Sequence, residues 1–404
     1  MSWERSSQDM TWNIQNLMSQ RHEFVLLASQ ANVNFAALCR RFDISRKTGY
    51  KWRARFDGGG PSALPDRSRK PHSSPQRTGA LVEAAVVALR KTCPVWGPRK
   101  LHRRLWDLGR RDLPAPSTVA AILRRTGCVS ATASAQHRPL RRFERARPND
   151  LWQMDFKGHF ALGRGGRCHP LTVLDDHSRF LVGLRACANE SGPNVRAHLI
   201  ALFRLYGLPE AMLCDNGSPW GSGTGEYTAL GVWLLRLGVR VLHGRARHPQ
   251  TQGKEERFHR TLKAELLARE DWPDNAHAQR RFNTYRDVYN LERPHEALGL
   301  AVPATRYQPS PRSYGETLPP LHYEPGEIVR FVKGKGEITF RQRFFYVGRA
   351  FIGLPVALRP AALAGTFTVC LGAHRLGRID LTQPNDRPFG NCFPMHRLSH
   401  TIKS

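Results

Sequence analysis

At Leu151 the periodicity of this chain changes, and that change limits the folds open to it. From there "LWQMDFKGHF", "CHPLTVLDD" and "RFLVGLRACA" follow one another as strand-like runs, joined by "LGRGGR" and "HS" turns. A helix is expected at about 194–206, then strand "AMLCD", helix "TALGVWLLRLG", strand "VRVLHG" and a helix from about Lys254 to Ala268. A meander of three strands followed by alternating helices and strands predicts one mixed sheet with helices on its faces. From about Glu327 the runs "EIVRFV", "EITFR", "FFYVG", "PVALRP", "FTVCLG" and "RLGRIDL" are short and strand-like, with "KGKG" as a hairpin turn, and predict a small β-barrel.

Before Leu151 the pattern is helical and basic. In "FAALCRRFDISRKTGYKWRARF", helical spacing links Phe35, Leu38 and Phe42. Asp43 and Ile44 break the helix, and Ser45 is a suitable N-cap for a second one carrying Arg46, Lys47, Lys51, Arg53 and Arg55. Two helices about a tight turn, the second basic, predict a DNA-binding helix-turn-helix; the alternative is a solvated basic helix. Another helical unit runs from about Leu81 to Gly127, with Ser117 as a candidate N-cap. Arg99, Lys100, Arg103, Arg104, Arg124 and Arg125 are expected on its polar surface. The predicted segments are helix-turn-helix 1–56, linker 57–79, a second helix-turn-helix-like unit 80–135, a basic linker 136–150, an α/β core 151–310 and the barrel 323–385. Arg67, Arg69 and Lys70 of the first linker could enter a minor groove, or lie solvated.

The net charge of +29 is uneven: +17 over residues 1–150, +4 over 151–300 and +8 over 301–404. A basic flank on a nearly neutral middle points to nucleic acid. There is no apolar run long enough to cross a membrane and no cleavable-looking start, so a soluble cytoplasmic protein is expected. The eight cysteines include no CxxC pair and read as buried reduced thiols. Cys392, His396 and His400 have helical spacing in the tail but lack a fourth zinc ligand.

Asp155 stands inside an apolar run, where a bare carboxylate is too costly to bury. Asp215 ends the strand "AMLCD", and strand ends of α/β sheets are where ligand sites gather. A third acid must be Glu255 or Glu256. Glu255 shares its helical face with Phe258, Leu262 and Leu266, an apolar set. Glu256 shares its face with His259, Arg260 and Lys263, a basic set suited to phosphate. Glu256 is therefore the expected third carboxylate. Converging carboxylates repel, by roughly 4 kcal/mol per pair at about 4 Å and an effective dielectric of 20. Oxygen ligands alone suit Mg²⁺ or Mn²⁺, and two such ions clamp an in-line phosphoryl displacement. Asp175 and Asp176 in "LDDHSRF" are rivals, since a hairpin would bring Asp175 near Asp155; capping of Ser178 or Arg179 is the plainer reading.

These motifs carry a resemblance. "WQMDF", "LDDHSRF", "CDNGSPW" and "HPQTQGKEERFHRTLK" resemble, in this order, the catalytic core of DDE transposases and retroviral integrases. "LCRRFDISRKTGYKW" and "WGPRKLHRRL" look like the paired helix-turn-helix units of bacterial insertion-sequence transposases. The resemblance implies a ribonuclease-H-like core between N-terminal helix-turn-helix units and the C-terminal β-barrel. It places Asp155, Asp215 and Glu256 at the three metal-binding acids and Lys263 at the basic residue seven positions beyond the third. Forty residues separate Asp215 from Glu256, a few more than is commonest, and no His-His-Cys-Cys zinc module stands at the N-terminus.

The reading is a DNA transposase that binds the terminal inverted repeats of its element as a homo-oligomer. Asp155, Asp215 and Glu256 would hold two Mg²⁺ or Mn²⁺ ions, free 3′-hydroxyls at the element ends and join them to target DNA. Arg46, Lys47, Lys51, Arg53, Arg260 and Lys263 would contact DNA. Lacking GxxxxGK[ST], the chain has no expected nucleotide cofactor. A non-catalytic DNA-binding regulator and a purely hydrolytic metal nuclease are the rival readings.

Overall fold

A computed structural model describes residues 17–66, 77–128, 144–221, 226–243 and 253–383. Arg67, Arg69, Lys70, Cys392, His396 and His400 lie outside the described residues. The chain divides into two compact units, Met1–Arg77 and Thr78–Ser404.

The first unit is three helices, α1 (Leu17–Ala28), α2 (Phe35–Arg41) and α3 (Arg46–Gly59). Phe24 and Val25 of α1 pack with Leu38, Cys39 and Trp52 around one core. The turn between α2 and α3 forms where the sequence breaks: Asp43 takes a left-handed φ of 51°, and the Ser45 hydroxyl accepts from Thr48 N at 3.1 Å. Gly49 lets α3 approach closely. A Cβ there would stand 2.7 Å from Cys39 Sγ and 3.0 Å from the Phe24 ring. The sequence pattern did not reveal α1.

The second unit begins with α4 (Ala80–Thr92), α5 (Pro98–Asp107) and α6 (Pro116–Arg125). The cap of α6 is Ala115, not Ser117, and Pro116 opens the helix. Proline suits that position, since its preset φ is helical and its missing N–H would have had no partner. The six-stranded sheet has β1 (Trp152–Phe156) at its centre, β3 (Arg167–Asp175) antiparallel on one side and β5 (Ala211–Cys214) parallel on the other. Outside these lie β4 (Leu181–Cys187) and β6 (Arg240–His243), while β2 (Phe160–Ala161) pairs with the start of β3.

Helices cover both faces. Trp152, Met154, Leu171 and Val173 point toward α7 (Gly192–Tyr206) and α8 (Ala229–Arg236). Leu174, Leu181 and Leu184 meet α9 (Gly253–Leu262) and α10 (Asn275–Leu291). A π-helical turn, Lys263–Leu267, continues α9. The sequence reading passed over α10, although Asp274 caps it through His277 N at 2.7 Å and Phe282, Tyr285 and Tyr289 repeat on its buried side.

The α4–α6 bundle is seated on this body. Val288 of α10 packs against its core, and Arg104 pairs with Glu292 at 2.5 Å. Lys100 and Arg104, expected on the outer polar surface, therefore face inward. Burial, with Arg293 nearby, holds the Lys100 ammonium down to about 8.

The C-terminal strands are β7 (Ile328–Phe331), β8 (Glu337–Phe340), β9 (Arg343–Tyr346), β10 (Pro355–Pro360), β11 (Thr366–Leu371) and β12 (His374–Asp380). They form a four-stranded sheet, β12-β11-β10-β7, and a two-stranded one, β8-β9, around one core that also takes Val232 and Leu235 of α8. "KGKG" does turn, with Gly336 N donating to Lys333 O at 2.8 Å. Its flanking strands β7 and β8 enter different sheets, so it is not the bend of a paired hairpin.

Candidate active site

Strand alternation decides which side chains of β1 can meet α9. Trp152 and Met154 occupy the core with α7 and α8, so Gln153 and Asp155 emerge on the opposite face. On β5, Met212 and Cys214 take that same core, which turns Leu213 and Asp215 to the opposite face of the sheet. Gln153 stands beside Leu213 in the parallel pairing, and two residues further along each chain come Asp155 and Asp215. The two carboxylates thus share one face at the C-terminal ends of neighbouring parallel strands.

Their electrostatics reflect that placement. Asp155 is pushed up to about 7, chiefly by burial and then by Asp215, against the opposing Phe156 N–H and Lys157. Asp155 Oδ1 accepts from Phe156 N at 2.8 Å. Burial also raises Asp215, opposed by the Gly217 N–H, which its Oδ1 accepts at 3.0 Å, and by His243. Glu190, in the loop before α7, adds negative charge to both aspartates and pairs with His169 Nδ1 at 2.8 Å. No sequence pattern singled out Glu190; it is a loop residue brought in by the fold.

The two candidates on α9 separate sharply. Glu255 is fully buried, and burial together with Asp155 holds its carboxyl well above the usual range. Its Oε2 lies 3.1 Å from Thr172 Oγ1. His259 shares this inner face rather than the basic outer one, with Nε2 2.9 Å from Thr172 Oγ1 and Nδ1 3.9 Å from Asp155 Oδ2. Burial holds the His259 imidazole down to about 4. Thr172, opposite Asp155 across β1 and β3, has one hydrogen and a third contact, the Asp155 carbonyl at 2.9 Å. A carbonyl only accepts. The cluster is satisfied when Thr172 donates to it and receives from a neutral Glu255 carboxyl and a neutral His259 Nε2–H.

Glu256, Arg260 and Lys263 are exposed. Glu256 is not among the charges acting on either aspartate. Among the described residues no three of His, Cys, Asp and Glu converge closely enough to grip one ion. Asp155 and Asp215 do suit a hard divalent cation: they are oxygen donors of like charge, pressed together, whose ionised forms need a positive partner. In the first unit Arg46, Lys47, Lys51 and Arg53 are exposed along α3.

Asp175 lies opposite Trp152, three residues along the strand from the Thr172 position that faces Asp155. It caps the turn instead, its Oδ1 accepting from Ser178 N at 2.8 Å and Ser178 Oγ at 2.5 Å. Asp176 is buried and anchors the start of α9: its Oδ1 meets Lys254 Nζ at 2.5 Å and Gln153 Nε2 at 2.6 Å.

Integrase core domain families match residues 145–249 and 237–303. A helix-turn-helix domain family matches 20–72 and a homeodomain-like family 48–123. The IS481 family transposase C-terminal domain matches 327–387. An insertion element IS407 protein of Burkholderia multivorans is 31% identical over 157 residues, 39% of this chain and 54% of that relative. An insertion element IS476 protein of Xanthomonas euvesicatoria is 27% identical over 229 residues, 55% of this chain and 63% of that relative. The chain thus spans less than two thirds of the length of either. A simian T-cell lymphotropic virus intasome structure is 15% identical, covers 70% of this chain and 91% of that one, and superposes with a TM-score of 0.37. With integrase-core, helix-turn-helix and transposase C-terminal families matched along it and insertion-element proteins among its relatives, the chain belongs to the insertion-sequence transposases of the DDE/integrase superfamily.

Proposed function

We propose that the chain moves its own element: it binds the terminal inverted repeats, frees a 3′-hydroxyl at each end and joins that hydroxyl to target DNA. The observation that carries this reading is the Asp155–Asp215 pair, two carboxylates at neighbouring strand ends, with burial and the charge of Asp215 raising Asp155 to about 7. Asp155, Asp215 and Glu256 would hold Mg²⁺ or Mn²⁺. Such ions, when bound, neutralise charge on the scissile phosphate and lower the barrier to in-line displacement. In the first step water attacks the phosphodiester and the 3′ oxygen leaves with the bonding pair, becoming a hydroxyl. In the second, that hydroxyl attacks a target phosphodiester and displaces another 3′ oxygen. Bonds broken and formed balance in each step, and no protein side chain is acylated or phosphorylated.

Glu256 is favoured over Glu255 because Glu255 spends its carboxyl on Thr172 in the interior, whereas Glu256 shares an exposed face with Arg260 and Lys263. Those two cations would hold the strand by its phosphates without reading bases. α3, with Arg46, Lys47, Lys51 and Arg53, would seat the element end, and a homo-oligomer would bring two ends together.

The test uses duplexes copied from the inverted repeats that bracket the coding sequence, with Mg²⁺ or Mn²⁺. Asp155→Asn, Asp215→Asn and Glu256→Gln should each abolish cleavage and retain end binding, because an amide keeps the shape and loses the charge that holds the ion. Glu255→Gln should keep most cleavage, since a neutral carboxyl and an amide both donate to Thr172. A dead Glu255→Gln beside an active Glu256→Gln would reverse the assignment. Cleavage without strand joining would leave a hydrolytic nuclease, and binding without cleavage a regulator.

A further inference from the structure

We propose that Tyr50 reads base identity in the duplex that α3 enters, an inference that rests on the proposed DNA binding by this unit. Helical spacing turns Arg46, Lys47, Tyr50, Lys51 and Arg53 outward, while Gly49 and Trp52 face the core. Tyr50 is the large aromatic in the middle of this basic face, and it is 57% exposed. Its exposure is not looseness. The ring stacks on Phe35 with centroids 4.3 Å apart and planes 21° from parallel, and Phe35 stands edge-on to the buried Phe24 at 6.0 Å. Gly49 makes room for this column, for a Cβ there would come within 3.1 Å of the Phe35 ring.

The other two aromatics of the helix cannot serve, and of these Phe56 packs against the core of the unit. Trp52 is buried, with the guanidinium carbons of Arg21 and Arg55 over its ring at 4.0 and 4.8 Å. The Tyr50 hydroxyl has no hydrogen-bond partner among the described residues, so it is free to donate to, or accept from, a base edge. Where lysine and arginine on this face contact phosphate, they hold the duplex without reading its sequence. A fixed aromatic edge with one hydroxyl differs in kind: the ring meets a thymine methyl favourably, and the hydroxyl requires a hydrogen-bonding base edge within its fixed reach in the major groove.

The full-length protein is incubated with a randomised duplex library, and the bound sequences are read for the wild type, Tyr50→Ala, Tyr50→Phe and Lys51→Ala. The wild type should enrich a motif. Tyr50→Ala should lose the preference at one or two adjacent base pairs, keep it elsewhere, and bind the preferred duplex about tenfold more weakly. Tyr50→Phe should keep whatever part of that preference comes from the ring and lose the part that comes from the hydroxyl. Lys51→Ala should weaken all sequences alike. An unchanged motif in Tyr50→Ala overturns the role of Tyr50, whereas a wild type that enriches nothing overturns the DNA reading of the unit itself.

Discussion

Asp155 retains a proton that an ordinary aspartate would have released, and this ties the stability of the fold to pH. Below about pH 4 the carboxyl is neutral whether the chain is folded or unfolded. Between about 4 and 7 the unfolded chain ionises it while the folded chain, with its value raised to about 7, does not. The group therefore destabilises the metal-free fold as pH rises, by on the order of 4 kcal/mol once above 7. Asp155→Asn removes this. In the presence of a chelator its Tm should exceed that of the wild type at pH 8 and converge with it toward pH 4; an equal gap at both would show that Asp155 is not the source. Asp155 was legible in the sequence because an acid inside an apolar run has few explanations. Its neighbours were less so. Thr172 faces it only because of the β1–β3 register, which the intervening turn fixes and no local pattern announces. The helical spacing marks the face of Glu255 as apolar, and the structure buries it; its placement against Thr172 and Asp155 depends on the packing of α9 on the sheet.

At the scale of the element, α9 is held at both ends. Lys254 reaches Asp176 at its start. In the π-helical turn at its end, Glu265 takes Arg293 Nε at 3.0 Å and Nη2 at 2.9 Å, with both side chains buried. Arg293 lies just beyond α10, which ends at Leu291, so the far end of α9 is fastened by a residue of the following loop. Removing one partner of a buried ion pair strands the other. Glu265→Gln should therefore lower stability by about 3–5 kcal/mol, measured by denaturant unfolding, and a loss under 1 kcal/mol would mean the pair is solvent-screened. The missed helix α10 is instructive, because its signal was present: an Asp274 cap followed by Phe282, Tyr285 and Tyr289. Interspersed arginines lower its mean hydropathy, and they lie on its outer side.

Across the whole molecule, charge and connectivity do different things. The excess of +17 in the first 150 residues should make DNA binding by the full chain steeply salt-dependent. At −0.9 per phosphate, six contacts would give a slope of about −5 in log affinity against log salt, and a slope shallower than about −2 in a filter or fluorescence titration would contradict a phosphate-led interface. Part of that basic charge is not free for DNA, since Arg104 and Lys100 turn toward the core; charge counting could not reveal this, because inward and outward arginines look alike in a sequence. The same contacts fasten the α4–α6 bundle to the body that carries Asp155 and Asp215. For a duplex seated on that bundle, the protein would act as a caliper with one jaw on the grip and the other on the proposed cleavage site. The length of DNA between them is then measured off by the polypeptide, so an extra base pair in that interval would shift the letters under the jaws and leave the gap between the jaws unchanged.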